Sequence, residues 1–428
     1  MGMFRSLHVH NYRLWFIGAL ISNIGTWMQR TAQDWLVYDI LTDQNAAAMG
    51  VVMALQLGPQ LFIAPLAGLI ADSVDRRRLL IATQSVMAAL GLGLGLLVVF
   101  GLAELWHVYA FALALGVVSA IDAPARQAFA SELVRDEFLP NAVALNSASF
   151  NGARMIGPAV AGLLTAAVGP GWVFLINAVT FGAMISVLGV LRRSELRILE
   201  RSAPGRGRIR AGFSYVRGRP DLMMVMFAVF VVGTFGLNFA VYIAAMARTE
   251  FNTGAGIFGT LSSIMAVGSV TGALLSARRE RPRLRFVFGA AGAFGAVCIL
   301  AALAPSVWLF GLALVPVGLF ALTLMTSANA YVQTTTAQEM RGRVMALYFA
   351  IFLGGTPIGA PIVGWVTNAY GPRWGLAVAA ASGLVAAVAG LAWIWRSHHV
   401  TLRLERSAPR RLRLTLAATA RDVSQRNS

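Results

Sequence analysis

Stretches of about 20 mostly apolar residues follow one another along nearly the whole chain, separated only by short turns, and this restricts the fold to one that spans a membrane. They cover 13–38, 48–71, 79–101, 105–126, 141–168 and 172–191, then 221–246, 255–276, 285–303, 305–332, 343–369 and 373–395. Transmembrane barrel strands would alternate polar and apolar residues over about 10 positions. These stretches are continuous, so the spacing predicts an all-α membrane protein of twelve helices. With 57% hydrophobic and 12% charged residues there is too little polar surface to cover soluble domains of this length.

The basic residues fix the orientation. All 35 are arginine, and the net charge is +17. With the N-terminus inside, the inner segments carry Arg76 to Arg78, Arg126, Arg135, the arginines between Arg192 and Arg219, those between Arg278 and Arg285, Arg341, Arg343 and the basic tail. The outer loops then hold only Arg248 and Arg373. Because positive loops stay in the cytoplasm, this predicts a multi-pass inner-membrane protein with both termini cytoplasmic. The charge is spread over loops that flank the membrane, which argues against a nucleic-acid partner and for the anionic lipids of the inner leaflet. The first apolar stretch runs on into Arg30 and Asp34 instead of ending at a small-residue cleavage site, so no removable signal is expected.

Four segments are predicted: an N-terminal six-helix half (1–191), a basic cytoplasmic linker (192–220), a C-terminal six-helix half (221–396) and a basic cytoplasmic tail (397–428). In the linker, Ile209, Phe213 and Val216 fall at i, i+4 and i+7, the pattern of a short amphipathic helix on the membrane surface. The tail has leucines among arginines and is expected to be interfacial or unstructured, with no function assigned. A shift of 202 positions lays Gly157, Gly162, Thr165, Ala167, Gly169, Pro170 and Trp172 onto Gly359, Gly364, Thr367, Ala369, Gly371, Pro372 and Trp374. Span five therefore repeats as span eleven in the same orientation, as expected for two parallel halves with a substrate site between them near the midplane.

Little in the sequence supports other functions. His8, His10, His107, His398 and His399 are terminal or at a span edge, no metal-ligand spacing is present, and no serine stands with a plausible base. Cys298 is the single cysteine, so it can form neither an internal disulfide nor a cysteine metal site, and it reads as a core residue. A Gly-x-x-x-x-Gly-Lys phosphate loop is absent, which excludes an ATP-driven pump. No enzyme activity, metal or cofactor is expected. A scaffold would need neither intramembrane charge nor separable halves.

Between spans two and three stands Gly68-Leu-Ile-Ala-Asp72-Ser-Val-Asp75-Arg76-Arg77-Arg78. Gly68 allows close helix approach, Asp72 can face a helix N-terminus, and the arginines can bridge to the inner acids Asp122, Glu132 and Glu339. The bland reading of the arginines is that they only set topology. The loop resembles that of the major facilitator superfamily, most members of which have glycine where this chain has Asp75. The Asp-Arg-Arg-Arg ending, Ser22 to Gln29 and Asp122-Ala-Pro-Ala-Arg126-Gln-Ala-Phe129 are similar to the branch containing the enterobactin exporter and macrolide efflux proteins. The resemblance implies a monomeric transporter working by alternating access on a small-molecule substrate. Gly68, Asp72, Arg76, Arg77, Asp122, Arg126, Glu132 and Glu339 would then form a cytoplasmic latch between the halves. Gly152, Gly157, Pro158 and Gly162 of span five resemble the antiporter motif of exporters, with an ordinary helix-packing face as the alternative.

Arg30, Asp34 and Arg154 lie inside spans one and five, where each charge costs at least ~2.5 kcal/mol and so calls for a partner or a water-filled cavity. Asn23, Trp27, Arg30 and Asp34 form one helical stripe, and Ser147, Asn151, Arg154 and Pro158 a second. The resemblance places spans one and five in the cavity wall. Asp34 is the candidate proton-coupling site, against the alternative of a static ion pair. Asn238, Tyr242, Thr323 and Ser327 are the cavity candidates of the second half. The expected function is proton-coupled export of small amphipathic molecules of siderophore or macrolide-like type, with an importer or facilitator of a small solute as the alternative.

Overall fold

A computed structural model describes residues 5–135, 137–196, 208–277, 283–398, 401–406 and 412–417. Helices dominate it. In the first half they are α1 (His10–Trp35), continued by a wider π-type turn over Leu36–Leu41, α2 (Ala46–Ser73), α3 (Arg76–Val99), α4 (Leu105–Glu132), α5 (Leu139–Val168) and α6 (Pro170–Val190). A linker helix α7 (Arg208–Arg217) follows. The second half holds α8 (Pro220–Val231) and α9 (Phe239–Ala245), then α10 (Ala255–Ala277), α11 (Leu284–Ala302), α12 (Val307–Thr335), α13 (Gln338–Tyr370) and α14 (Pro372–His398).

Ten helical segments of the described residues are both long and apolar enough to cross a membrane. The two that pass on length alone are α1 and α5, the helices that carry Arg30, Asp34 and Arg154. Span seven, expected to be continuous, is broken: α8 gives way to a π-type turn at Val232–Gly236 before α9 resumes. Gly355 and Gly359 of α13 come up against the backbone of Thr234 at that break.

Local sequence explains the ends of these elements. Asp75, where the resemblance leads one to expect glycine, is the N-cap of α3 and accepts from Arg78 N at 3.0 Å. Asn45 and Ser306 cap α2 and α12 in the same way. The repeated Gly-Pro pairs are identical corners. Gly169 and Gly371 close α5 and α13 at φ 88° and 100°, which only glycine adopts readily, and the following prolines open α6 and α14.

Within the halves α1 packs on α5 and α6, α3 on α6, α2 on α4, and correspondingly α10 on α12 and α11 on α14. The halves meet along two seams, α2 against α13 and α5 against α10. These seams are related by the internal repeat. Gly162 abuts Ala255 O and Gly259, while Gly364, its repeat partner, abuts Ala46 O and Ala47. Gly259 lies against Pro158 O, and Gly50 lies against Ala360 O at the matching place. Small residues there let two backbones approach closely.

The linker helix forms where expected, but it docks on protein. Val216 is buried and Phe213 is 60% exposed, so the predicted apolar stripe splits between two environments; the side chain of Ile209 lies outside the described residues. The helix packs against α13, and Tyr215 OH accepts from Ala337 N at 3.2 Å. Arg219 donates to Thr335 O and pairs with Asp221, which also accepts from Tyr331. In the tail, Thr401–Arg406 and Leu412–Ala417 pair antiparallel, so these two segments are not unstructured.

Candidate functional site

Helix alternation puts Arg76 to Arg78, Arg126 and Arg192 at one face of the helix array and Arg248 and Arg373 at the other. Midway between the two faces, Trp27 of α1 is approached by two guanidinium groups. The Arg30 carbon lies 5.2 Å and the Arg154 carbon 5.5 Å from the indole centroid. Phe150 of α5 meets the same indole edge-on at 5.8 Å. The small Gly157 makes this approach of α1 and α5 possible, since a Cβ there would lie 2.6 Å from Trp27 Cβ.

Helix geometry shows which way this cluster faces. Ile21 is 40% exposed and lies nine residues before Arg30; Leu163 is 64% exposed and lies nine residues after Arg154. Nine residues are two and a half turns, so each arginine points away from the apolar side that meets lipid. Both are half-buried. Asp34, one turn beyond Arg30, is buried at 9% exposure. Among the described residues Arg30, Asp34 and Arg154 have no hydrogen-bonded or ion-paired partner, and Arg30 Nε is buried without one. The alternative of a static ion pair holding span one to span five has no salt bridge among the described residues, although Arg30 and Asp34, one turn apart on α1, lie close enough to feel each other's charge. Asn23 donates to Ser149 Oγ at 3.5 Å, and Asn151 turns back to Ser147 O at 2.8 Å.

The second-half candidates sit differently. Asn238 is fully buried and donates to Thr234 O at 2.7 Å, bracing the break between α8 and α9. Tyr242 is buried against Gly375 of α14, with its hydroxyl on Phe235 O. Thr323 reaches Gly272 O on α10, and Ser327 is buried in α12. Asn238, Tyr242 and Thr323 thus hold their described contacts inside the second half.

Of the residues expected to latch the halves, Arg77, Asp122 and Arg126 hold their described contacts inside the first half, as does the pair of Arg76 and Glu132. Arg76 pairs with Glu132, joining α3 to α4. Arg77 is buried and donates to Leu188 O at 2.5 Å and Gly189 O at 2.8 Å, capping the negative C-terminal end of α6. Asp122 is buried and accepts from Thr83 at 2.7 Å, Gln84 at 2.9 Å and Arg126 at 3.1 Å. Glu339 is exposed in α13. The side-chain surroundings of Gly68 and Asp72 lie outside the described residues. In span five, Gly157 admits α1, Pro158 and Gly162 admit α10, and Gly152 faces open space.

The polar side-chain contacts described between the halves lie at the arginine-poor face. Arg248 Nε donates to Asp39 Oδ1 at 2.5 Å. Beside this pair Tyr38 and Thr249 share a hydrogen bond of 2.6 Å, and Thr249 donates to Gln44 at 2.8 Å. Asn368 accepts from Ala46 N and donates to Asn45, each at 2.8 Å. The available signal was scarcity: of the two arginines at this face, Arg248 pairs with Asp39 and Arg373 with Glu250.

A family described as transmembrane secretion effector matches residues 1–409. The chain belongs to this family of major facilitator transporters. The staphyloferrin A transporter of Staphylococcus aureus is 22% identical over 84% of the chain and 90% of its own length. The enterobactin exporter of Shigella flexneri is 27% identical over 76% of the chain and 77% of its own length. Among solved structures, a nucleoside transporter superposes with a TM-score of 0.70 at 12% identity, covering 90% of this chain and 98% of that one. A bacterial homologue of the human lysosomal transporter Spinster, inward-facing and unoccupied, does so with 0.63 at 14% identity, covering 91% and 95%. These structures share the fold. As a major facilitator transporter the chain is a multi-pass membrane protein that moves a small molecule and is not an enzyme.

Proposed function

We propose that the chain is a proton-coupled exporter of siderophore-like molecules in the cytoplasmic membrane, working by alternating access with both termini in the cytoplasm. The observation that carries this reading is the charged cluster at Trp27, Arg30, Asp34 and Arg154, held at midspan on α1 and α5 and turned away from lipid, in a protein whose halves are tied at one face. Desolvating such charges is costly enough that intramembrane sites of this kind line substrate and ion paths. The arginine map supports an orientation with the tied face outside, and in that orientation the conformation described is the loading state of an exporter. Names of the relatives support a siderophore as cargo, and the exporter among them supports the direction. Asp34 is the proposed proton carrier. Arg76, Arg77, Asp122, Arg126, Glu132 and Glu339, with Gly68 and Asp72, are proposed to approach across the halves when the other face opens.

Two measurements test this reading. A periplasm-active reporter fused after Arg206 should be silent and one fused at 169–171 active; the reverse pattern sinks the orientation. Everted vesicles should accumulate a supplied siderophore when acidified inside, and loss of accumulation under that gradient, with uptake in right-side-out vesicles instead, would make the protein an importer.

A further inference from the structure

The cluster at Trp27 carries more than transport as such, because its charges do not balance. Two guanidinium groups, one from α1 and one from α5, are drawn to one indole, and like charges this close in a low-dielectric setting repel. The carboxylate of Asp34 offsets at most one of them. Each guanidinium offers five N–H donors in a rigid fork suited to oxyanions. Among the described residues none of those donors has an acceptor, and Arg30 Nε is buried without a partner. Both arginines face away from lipid, and Asn23 with Ser149 adds neutral polar groups one to two turns nearer the arginine-rich face.

Resting on the transport reading above, we infer that Arg30 and Arg154 are the substrate-recognition pair for an organic oxyanion, a carboxylate or catecholate group of the cargo, with Trp27 as the brace they share. The oxyanion of the ligand accepts from these donors. Substrate entering between the halves supplies the negative charge that the arginines lack, and a cation meets two positive groups against one acid. Trp27 contributes by holding both forks near one point, so that a single anionic group, or two neighbouring ones, reaches both helices at once.

Calorimetry on the purified full-length protein in detergent tests this inference with four probes: citrate, 2,3-dihydroxybenzoate, inorganic phosphate and the cation tetraphenylphosphonium. Citrate or 2,3-dihydroxybenzoate should bind, and Arg30→Gln and Arg154→Gln should each weaken that binding at least tenfold. Arg30→Lys and Arg154→Lys, which keep the charge but lose the fork, should weaken it severalfold and serve if the glutamine variants do not stay monodisperse. Organic anions bound equally well by all the variants overturn the inference, as does binding of phosphate alone, of the cation alone, or of none of the four. Binding at equilibrium is independent of transport direction, so failure of the exporter reading in vesicles leaves this result standing, and the converse also holds.

Discussion

Asp39 and Arg248 stand 209 positions apart in the chain and 2.5 Å apart in space, one at the end of span one and the other at the end of span seven. They are the charged centre of a polar seam that also includes Tyr38, Gln44 and Thr249. A seam of this kind must part whenever the transporter opens at that face, so its strength sets how much of the population is closed there.

Arg248→Gln is expected to raise the population open at the arginine-poor face. A partly exposed ion pair contributes about 1 kcal/mol, which corresponds to roughly a fivefold change in that equilibrium. Spin labels on cysteines at the exposed positions Leu102 and Leu303, in loops of opposite halves at that face, read the separation by pulsed electron resonance. The single native cysteine, Cys298, is buried and does not compete for label. The charge-reversed double variant Asp39→Arg with Arg248→Asp should restore the closed distance. An unchanged distribution in Arg248→Gln would remove the pair from the gating account.

The glycine seams predict a stronger effect. A side chain at Gly162 would meet Ala255 O at 2.7 Å, and one at Gly364 would run into Ala46 O. Gly162→Val and Gly364→Val should therefore each hold the same face open, with the Leu102 to Leu303 distance shifted to its long component. Gly152→Val, in the same motif but facing open space, should leave the distances and transport unchanged. If all three behave alike, the motif acts through something other than close packing at the seam.

How far the sequence could show this follows from the range of each signal. The helical class, the repeat and the linker helix are written in local hydropathy and in glycine spacing; ten of the expected spans reappear as helices both long and apolar enough to cross a membrane, while α1 and α5 are long but less apolar. Trp27, Arg30 and Arg154 were legible because charge at midspan is costly wherever it occurs. The Asp39 and Arg248 pair was not, because each residue alone is an ordinary polar residue at a span end, and only the packing of halves brings them together. Polarity alone suggests Tyr242 and Asn238 as cavity residues. Their side chains donate to Phe235 O and Thr234 O at the break between α8 and α9, where Gly355 and Gly359, more than a hundred positions away, come up against Thr234.

Arg77 and Arg78 separate structural from topological roles within one basic cluster. Arg77 is buried and makes two charge-assisted bonds to the last carbonyls of α6, whereas Arg78 is exposed. Arg77→Ala should lower the thermal stability of the purified protein by about 2 kcal/mol, the range for buried hydrogen bonds to a charged group. Arg78→Ala should be neutral. Equal and small effects would return both residues to the role of topology signals.

Asp34 decides the coupling question. It is buried one turn from Arg30, yet the two are not joined, so the carboxyl group is not committed to a static bridge and can change its protonation as the halves move. Asp34→Asn imitates the permanently protonated form without changing volume. The variant should keep substrate binding within about threefold of wild type, because the arginine pair is intact and gains net positive charge, and the same argument predicts that binding of an anion does not weaken. Transport in proteoliposomes should continue down a substrate gradient but lose its response to an imposed pH difference. Wild-type protein assayed in parallel should show that response, with flux rising as the side receiving substrate is made more acidic. If Asp34→Asn keeps the full response, Asp34 carries no coupling proton, and the next buried acid to test is Asp122, held by Thr83, Gln84 and Arg126 at the far end of the same half.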